Sequence, residues 1–518
     1  MPSSLMTGSS AHTSEPDPPR IGRAVWITLA LLTVIRLVAA AYAGLSEDEA
    51  YYRLWALAPS YGYLDHPPMV AWWIAAGQWL VGDNALAIRL LSVLSIIAGT
   101  LALWRTAWIL FGSKRLADRA ALWLQAAFLV GIGAVVMTPD TPSVMFWSLS
   151  LWAVAELDRS QNPRWLLAMG CFAGLGLLAK YSGLFFGAGV VLWLATDRAS
   201  RRWWRSPYLY LGGILAVLIF LPVIYWNATH HWVSFAKQFG RAAGHRLTTR
   251  YLGEFIGTEI GLLNPLIALF CGLGVVLWLC KRTIHARATW LLVATSAPFL
   301  AYLTVHSLHD RVQANWPAPL FPSLILIAAC AADGMSSRRT SWKLLAQAVA
   351  PVGIGLSVAT LLWALHPLGA KDIKGDPTAR TRGWEQLARD VDHARVDAKA
   401  AWIATDRYAM TGMMSYHLRH GGPPVVALSE RIRYINLPAP DPALLREPGL
   451  YVTLTRNDKS EDLKPIFAGV ERVGTIVRAP RGRELGTYAV YRIGPALSPA
   501  TSWDDISRAL TPSVYLTE

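Results

Sequence analysis

Charge is scarce in this sequence. Asp, Glu, Lys and Arg make up 16% of its 518 residues, against about a quarter in soluble globular domains. With 53% hydrophobic residues, the chain cannot be read as an ordinary soluble protein. Cysteine is scarce too. Cys171, Cys271, Cys280 and Cys330 each sit in or at the end of an apolar run, and no pair has metal-ligand spacing. They read as packing residues, and no disulfide framework is visible. No internal repeat is visible either. Acids are fewer than bases, 34 against 48, for a net charge of +14. That balance could suggest nucleic acid as a partner. The bases argue against it, because they stand in short clusters between apolar runs, as in a membrane protein. The partners are then membrane lipids, with no nucleic acid.

What the chain does have is long apolar runs and 24 tryptophans, which suit the aromatic belts of membrane helices. A spanning helix needs roughly 20 apolar residues. Candidate spans fall at 24–44, 84–111, 120–137, 142–157, 165–180, 182–197, 207–227, 253–280, 289–306, 317–334 and 342–366, about eleven helices by that length rule. Residues 1–23 are polar and rich in Pro and Ser, and read as a disordered cytoplasmic tail. With these spans, one set of connections carries Arg20 and Arg23, Lys114, Arg115 and Arg119, Arg159 and Arg164, Arg198 to Arg205, Lys281 to Arg287, and Arg338 to Lys343. All fall on one side, which the positive-inside rule makes cytoplasmic. The N-terminus is then cytoplasmic and the region from 367 to 518 extracytoplasmic. A bacterial inner membrane is the expected location.

From about residue 370 the hydropathy changes. Segments 401–404, 424–428, 451–454 and 488–491 read as short strands bounded by Gly, Pro and Asp. Segments 383–398 and 408–420 have helical spacing. The fold class is therefore a polytopic α-helical membrane protein with a C-terminal extracytoplasmic α/β domain. The tail holds no nucleotide loop and no metal-spaced cluster, and His417 and His420 are expected to face solvent.

The outer connections gather the chemistry. The first reads Ser46-Glu47-Asp48-Glu49-Ala50-Tyr51-Tyr52, then Asp65-His66-Pro67-Pro68. Three acids directly after a membrane helix are expensive unless solvated or used. The plain alternative is a solvated helix start, where acids complement the dipole. The aromatic residues that follow suit an amphipathic helix lying along the interface. A carboxylate held there can act as general base on an incoming hydroxyl. Asp140 lies between Pro139 and Pro142 in another outer turn. A pair of acids with a histidine could also hold a divalent metal ion, although no spacing requires one. Outer cations include Lys180, Arg241, His245, Arg246 and Arg311, with His309 nearby. They can either bind phosphate or snorkel to lipid headgroups.

At these residues the chain resembles the GT-C membrane glycosyltransferases of the protein O-mannosyltransferase and lipid A aminoarabinose transferase group. The marks are Asp48-Glu49 after the first helix, Asp65-His66-Pro67-Pro68, the Pro139-Asp140 turn, the Leu178 to Gly183 turn, and Asn315-Trp316-Pro317-Ala318-Pro319. They span roughly residues 24–335, the bulk of the transmembrane domain 24–366. The resemblance implies a transferase that uses a polyprenyl-phosphate sugar donor and no nucleotide sugar, acting on a lipid, glycan or protein acceptor with inversion at the anomeric carbon. It puts the catalytic base on Asp48, with Glu49 beside it. Lys180, Arg241, Arg246 and Arg311 are the candidate cations for the leaving phosphate. Asp65, His66, Asp140, Tyr181 and His309 fall in the substrate or metal neighbourhood. In aminoarabinose transferases a lysine follows the loop acid, where this chain has His66.

Two other function classes fit a polytopic chain. A transporter or lipid flippase needs ionisable residues near the membrane midplane and often repeated halves, but here the acids cluster at outer helix ends. A non-catalytic anchor for the tail domain would not need acids in three separate outer connections.

Overall fold

Long apolar runs become helices because a backbone out of water must satisfy its own hydrogen bonds. The computed structural model describes residues 19–240, 247–283, 285–367, 375–497 and 502–511. Residues 1–18 of the expected tail lie outside the described residues.

Among the described residues, six helices are long and apolar enough to cross a membrane: Arg23–Tyr42, Ala85–Phe111, Pro207–Thr229, Ala286–His306, Ala318–Ser336 and Thr340–Leu365. Helices Met69–Val81, Trp165–Ala179 and Tyr181–Thr196 are apolar but shorter. Two expected spans need correction. The run 253–280 is two helices, Arg250–Leu263 and Pro265–Leu279, bent by 110°. Asn264 turns the chain at φ 86°, and Pro265 cannot continue the preceding helix. The run 120–137 breaks at Ala127 between helices Lys114–Ala126 and Phe128–Gly133. Buried Arg36 stabilises the break, donating to Gln125 Oε1 at 2.7 Å and to the Gly131 carbonyl at 3.3 Å. Helices Trp165–Ala179 and Pro207–Thr229 meet backbone to backbone, since a Cβ on Gly170 would lie 2.1 Å from the Gly212 carbonyl oxygen.

Contacts gather the basic clusters at one end of the bundle. The Gly22 amide donates to Asp118, Arg115 and Arg119 pair with Asp333, and Arg287 bridges Asp158 and Asp197. The α/β domain covers the opposite end. Its sheet has the order β2-β1-β3-β5-β4, formed by β1 (Trp402–Thr405), β2 (Val425–Ala427), β3 (Gly449–Leu454), β4 (Val470–Arg478) and β5 (Gly486–Ile493). β2, β1 and β3 run parallel, while β5 and β4 are antiparallel. β4 was not evident in the sequence because its valines and isoleucine are interrupted by Glu471, Arg472 and Gly474, and all but one of its residues are at least partly exposed. Helix Trp384–Asp397 matches the expected 383–398, and helix Tyr408–His417 begins where 408–420 was expected. His417 is half-buried rather than solvent-facing, and burial lowers its pKa to about 4.

The segment 45–83 is not an open loop. It holds helices Glu47–Leu57 and Met69–Val81. The first does not lie along the interface, because eight of its eleven residues are buried. Tyr51, Leu54 and Trp55 share one core with Leu387, Met410, Met413 and Val452 of the α/β domain. The helix is thus a wedge between bundle and domain, and the core runs unbroken across residue 367.

Candidate active site

The acidic triplet splits because a helix start points neighbouring residues in different directions. Ser46 caps helix Glu47–Leu57, accepting from the Glu49 amide, while Glu49 reaches back to the Ser46 amide at 2.9 Å. This capping box consumes Glu49. Its carboxylate is buried and held by Arg89 at 2.6 and 2.7 Å, and it also accepts from the Met137 amide at 3.1 Å. Glu49 therefore cannot share the catalytic task expected of it. It fixes the helix and the turn before Asp140.

Asp48 points the other way, into a cavity of about 530 Å³ that Asp65, His66, Asp140, Lys180 and Arg311 also line. Residues distant in sequence thus meet at the domain-covered end. Asp65 is buried. Lys237 pairs with its Oδ1 at 2.6 Å, while Arg433 and Tyr51 donate to its Oδ2 at 2.6 and 2.8 Å. Burial alone would raise its pKa, but Arg433, Lys237 and His66 outweigh that and hold it well below the ordinary carboxylate range. Asp140 starts helix Asp140–Ser160. It binds Lys180 at 2.5 Å and accepts from Asn315 at 2.5 Å. Lys180 is placed by the end of helix Trp165–Ala179, whose next residue it is. Arg311 pairs with Glu254 at the rim.

Among the described residues Asp48 takes part in no ion pair. Its side chain accepts one hydrogen bond, from the Tyr408 hydroxyl at 3.1 Å. The enclosing walls raise its carboxyl pKa. Tyr408 opposes that rise, Asp65 and Glu49 add to it, and Arg433 opposes it. A partly desolvated carboxylate with a raised pKa suits a general base.

Below the polar cavity lies a second cavity of about 490 Å³. Ile96, Leu129, Val135, Val144 and Leu361 give it apolar walls, and it shares Asp48, Thr138, Asp140 and Asn315 with the first. The carboxylates of Asp48 and Asp140 therefore stand where a polar chamber meets an apolar one.

Other expected residues lie elsewhere. Tyr181 faces away from the cavity, bonding Ser234 at 2.8 Å and packing on Phe220 and Phe235. His309 does not line the cavity, whereas His306 does. The His309 Nδ1 is buried with no hydrogen-bond partner among the described residues. Arg241 and Arg246 lie outside the described residues, as does His245. No three His, Cys, Asp or Glu side chains among the described residues are grouped to hold a metal ion.

Sequence reasoning missed Lys237, Tyr408 and Arg433. The last two come from the α/β domain, where nothing in the local sequence marks them. Arg433 crosses the Tyr408 ring at 5.1 Å and the Tyr51 ring at 5.9 Å.

The chain is similar in sequence and in fold to known proteins. Residues 65–226 match the family model for dolichyl-phosphate-mannose-protein mannosyltransferase. A lipid A galacturonosyltransferase of Rhizobium johnstonii is 26% identical over 391 residues, covering 72% of this chain and 77% of that protein. An undecaprenyl phosphate-alpha-4-amino-4-deoxy-L-arabinose arabinosyl transferase of Erwinia tasmaniensis is 27% identical over 336 residues, covering 59% of this chain and 57% of its own. In fold, the chain is similar to ArnT from Cupriavidus metallidurans in its apo state, with a TM-score of 0.64 at 16% identity, covering 90% of this chain and 97% of that one.

Proposed function

We propose that this chain, a GT-C membrane glycosyltransferase of the protein mannosyltransferase and aminoarabinose transferase group, moves a sugar from a polyprenyl-phosphate donor to an acceptor hydroxyl, with inversion. One observation carries the reading: Asp48 lies on the boundary between a polar chamber and an apolar one. An amphiphilic donor needs both, the apolar cavity for the prenyl chain and the polar one for phosphate and sugar.

The chemistry follows from the side chains. Asp48 takes the proton of the acceptor hydroxyl. The acceptor oxygen forms its bond to the anomeric carbon as the bond from that carbon to phosphate breaks. Polyprenyl phosphate leaves with the electron pair, and Lys180 and Arg311 stabilise the growing negative charge. Each is paired before substrate arrives, Lys180 with Asp140 and Arg311 with Glu254. Their charges are therefore held in place rather than gathered at the moment of reaction. The donor phosphate competes for them, and Arg241 and Arg246 remain further candidates.

Sidedness follows the positive-inside rule. The end of the bundle with Arg287, Arg115 and Arg119 lies in the cytoplasm with the N-terminus, and the α/β domain lies outside. Bacterial relatives support a bacterial membrane, and the positive-inside rule then assigns the α/β domain to the periplasmic side of an inner membrane. Lipid A, another glycolipid, a glycan or a protein can supply the hydroxyl.

Comparative mass spectrometry of envelope lipids and glycans, from cells with and without the gene, tests the reading. A glycan or glycolipid that loses one sugar residue on deletion and regains it on complementation supports it. An unchanged envelope contradicts it.

A further inference from the structure

The α/β domain does more than cover the cavity. We propose that Tyr408 is a positioning residue for Asp48, held in register by Arg433, so that the extramembrane domain completes the active site of the bundle. This inference rests on Asp48 being the base.

The topology puts both residues in one place. In open sheets with parallel strands, a crevice forms where the connections from a central strand and its neighbour diverge. β1 is such a strand, with β2 and β3 parallel on either side. The chain leaving β1 enters helix Tyr408–His417, whose first residue is Tyr408. The chain leaving β2 forms the turn Arg431–Tyr434, which carries Arg433. Both connections meet helix Glu47–Leu57.

The two connections are fixed to the sheet and to each other. Ser429 donates to the Asp406 carbonyl at 2.5 Å, and the Asp406 carboxylate accepts from Thr453 at 2.8 Å and from Tyr451 at 3.3 Å. Gly412 permits the contact, since a Cβ there would lie 2.8 Å from the Tyr51 nitrogen. The Tyr408 ring then packs on Tyr51 with centroids 4.9 Å apart. Arg433 spans both rings while bonding Asp65. The ring is clamped on two sides, which sets where its hydroxyl points.

That hydroxyl donates to Oδ1 of Asp48, leaving Oδ2 for the proton of an acceptor. The choice of donor matters. Asp65 is held by two cations, Lys237 and Arg433, which orient its carboxylate but lower its basicity. A neutral phenol orients Asp48 with a smaller loss of basicity. Were Tyr408 only a packing residue, phenylalanine would serve as well.

The test uses the full chain in liposomes, with two readouts. Isotope-edited infrared titration, with Asp48→Asn as the reference, reads the Asp48 carboxyl directly and needs no turnover. Tyr408→Phe keeps the ring and is expected to raise the midpoint by about half a unit to one unit, the size of one neutral hydrogen bond. With a synthetic undecaprenyl-phosphate sugar as donor and lipid A as acceptor, the acid limb of the kcat profile should move by the same amount, with the donor KM unchanged. An unmoved midpoint in a folded Tyr408→Phe protein overturns the inference. If Asp48→Asn keeps full turnover, the base assignment fails. The titration still decides whether Tyr408 controls Asp48.

Discussion

Arg89 reaches from helix Ala85–Phe111 to hold both oxygens of Glu49, with Nε to Oε1 at 2.6 Å and Nη2 to Oε2 at 2.7 Å. Glu49 and Asp48 are chain neighbours of similar chemistry, yet this contact separates their tasks. Glu49 is almost wholly enclosed and its charge is spent on structure. Asp48 is left to face the cavity.

The pair should therefore behave as structure. Glu49→Gln leaves Arg89 buried and uncompensated, and is expected to cost about 3–5 kcal/mol of stability. Replacing both, as Glu49→Gln with Arg89→Met, should cost less than the single change. Denaturant unfolding of the purified proteins checks the ordering.

Asp48→Asn should lower turnover by about a hundredfold or more, the usual contribution of a general base. Stability should move the other way. Burial raises the Asp48 pKa, so its ionised form costs the folded state free energy above the unfolded pKa. At neutral pH Asp48→Asn should be as stable as the parent protein or more so. Turnover and thermal unfolding of the same preparation decide this, and a destabilised, active variant would contradict it.

Asp65 carries the opposite sign. Its folded pKa is depressed by Arg433, Lys237 and His66 against the effect of burial. It contributes stability above an unfolded pKa of about 3.9, and that contribution is lost as pH falls toward the folded value. Asp65→Asn should destabilise the protein at pH 7, and the gap from the parent should shrink as the pH falls below about 4. Unfolding measured across pH reads this difference.

Gly412 tests the coupling of domain to bundle. Gly412→Leu forces helix Tyr408–His417 away from Tyr51 and should displace Tyr408 and Arg433. A shift of that kind is expected to cost turnover on the order of a hundredfold, with Gly412→Ala milder. Tyrosine fluorescence and turnover in the two variants check the gradation.

Much of this was legible in the sequence. Apolar runs marked the helices, and basic clusters marked one end of the bundle, because both follow from the cost of charge in lipid. Asp48, Asp65, Asp140 and Lys180 were legible because acids and cations at outer helix ends have little structural reason to gather. Tyr408 and Arg433 were not, since a tyrosine and an arginine in a soluble domain carry no such penalty and only the tertiary contact brings them to Asp48. The bend at Asn264 was hidden because the apolar residues on both sides of the single Asn264-Pro265 pair read as one span. Glu49 was misjudged because the sequence does not show Arg89 above it.

The most direct measurement supplies the purified chain in liposomes with one sugar in two forms, as a polyprenyl phosphate and as a nucleotide diphosphate, together with lipid A or envelope glycolipid acceptor. Transfer from the lipid-linked form alone, abolished in Asp48→Asn, is the expected result. Transfer from the nucleotide sugar without any polyprenyl phosphate would contradict the assignment of the joined polar and apolar chambers to a lipid-borne donor.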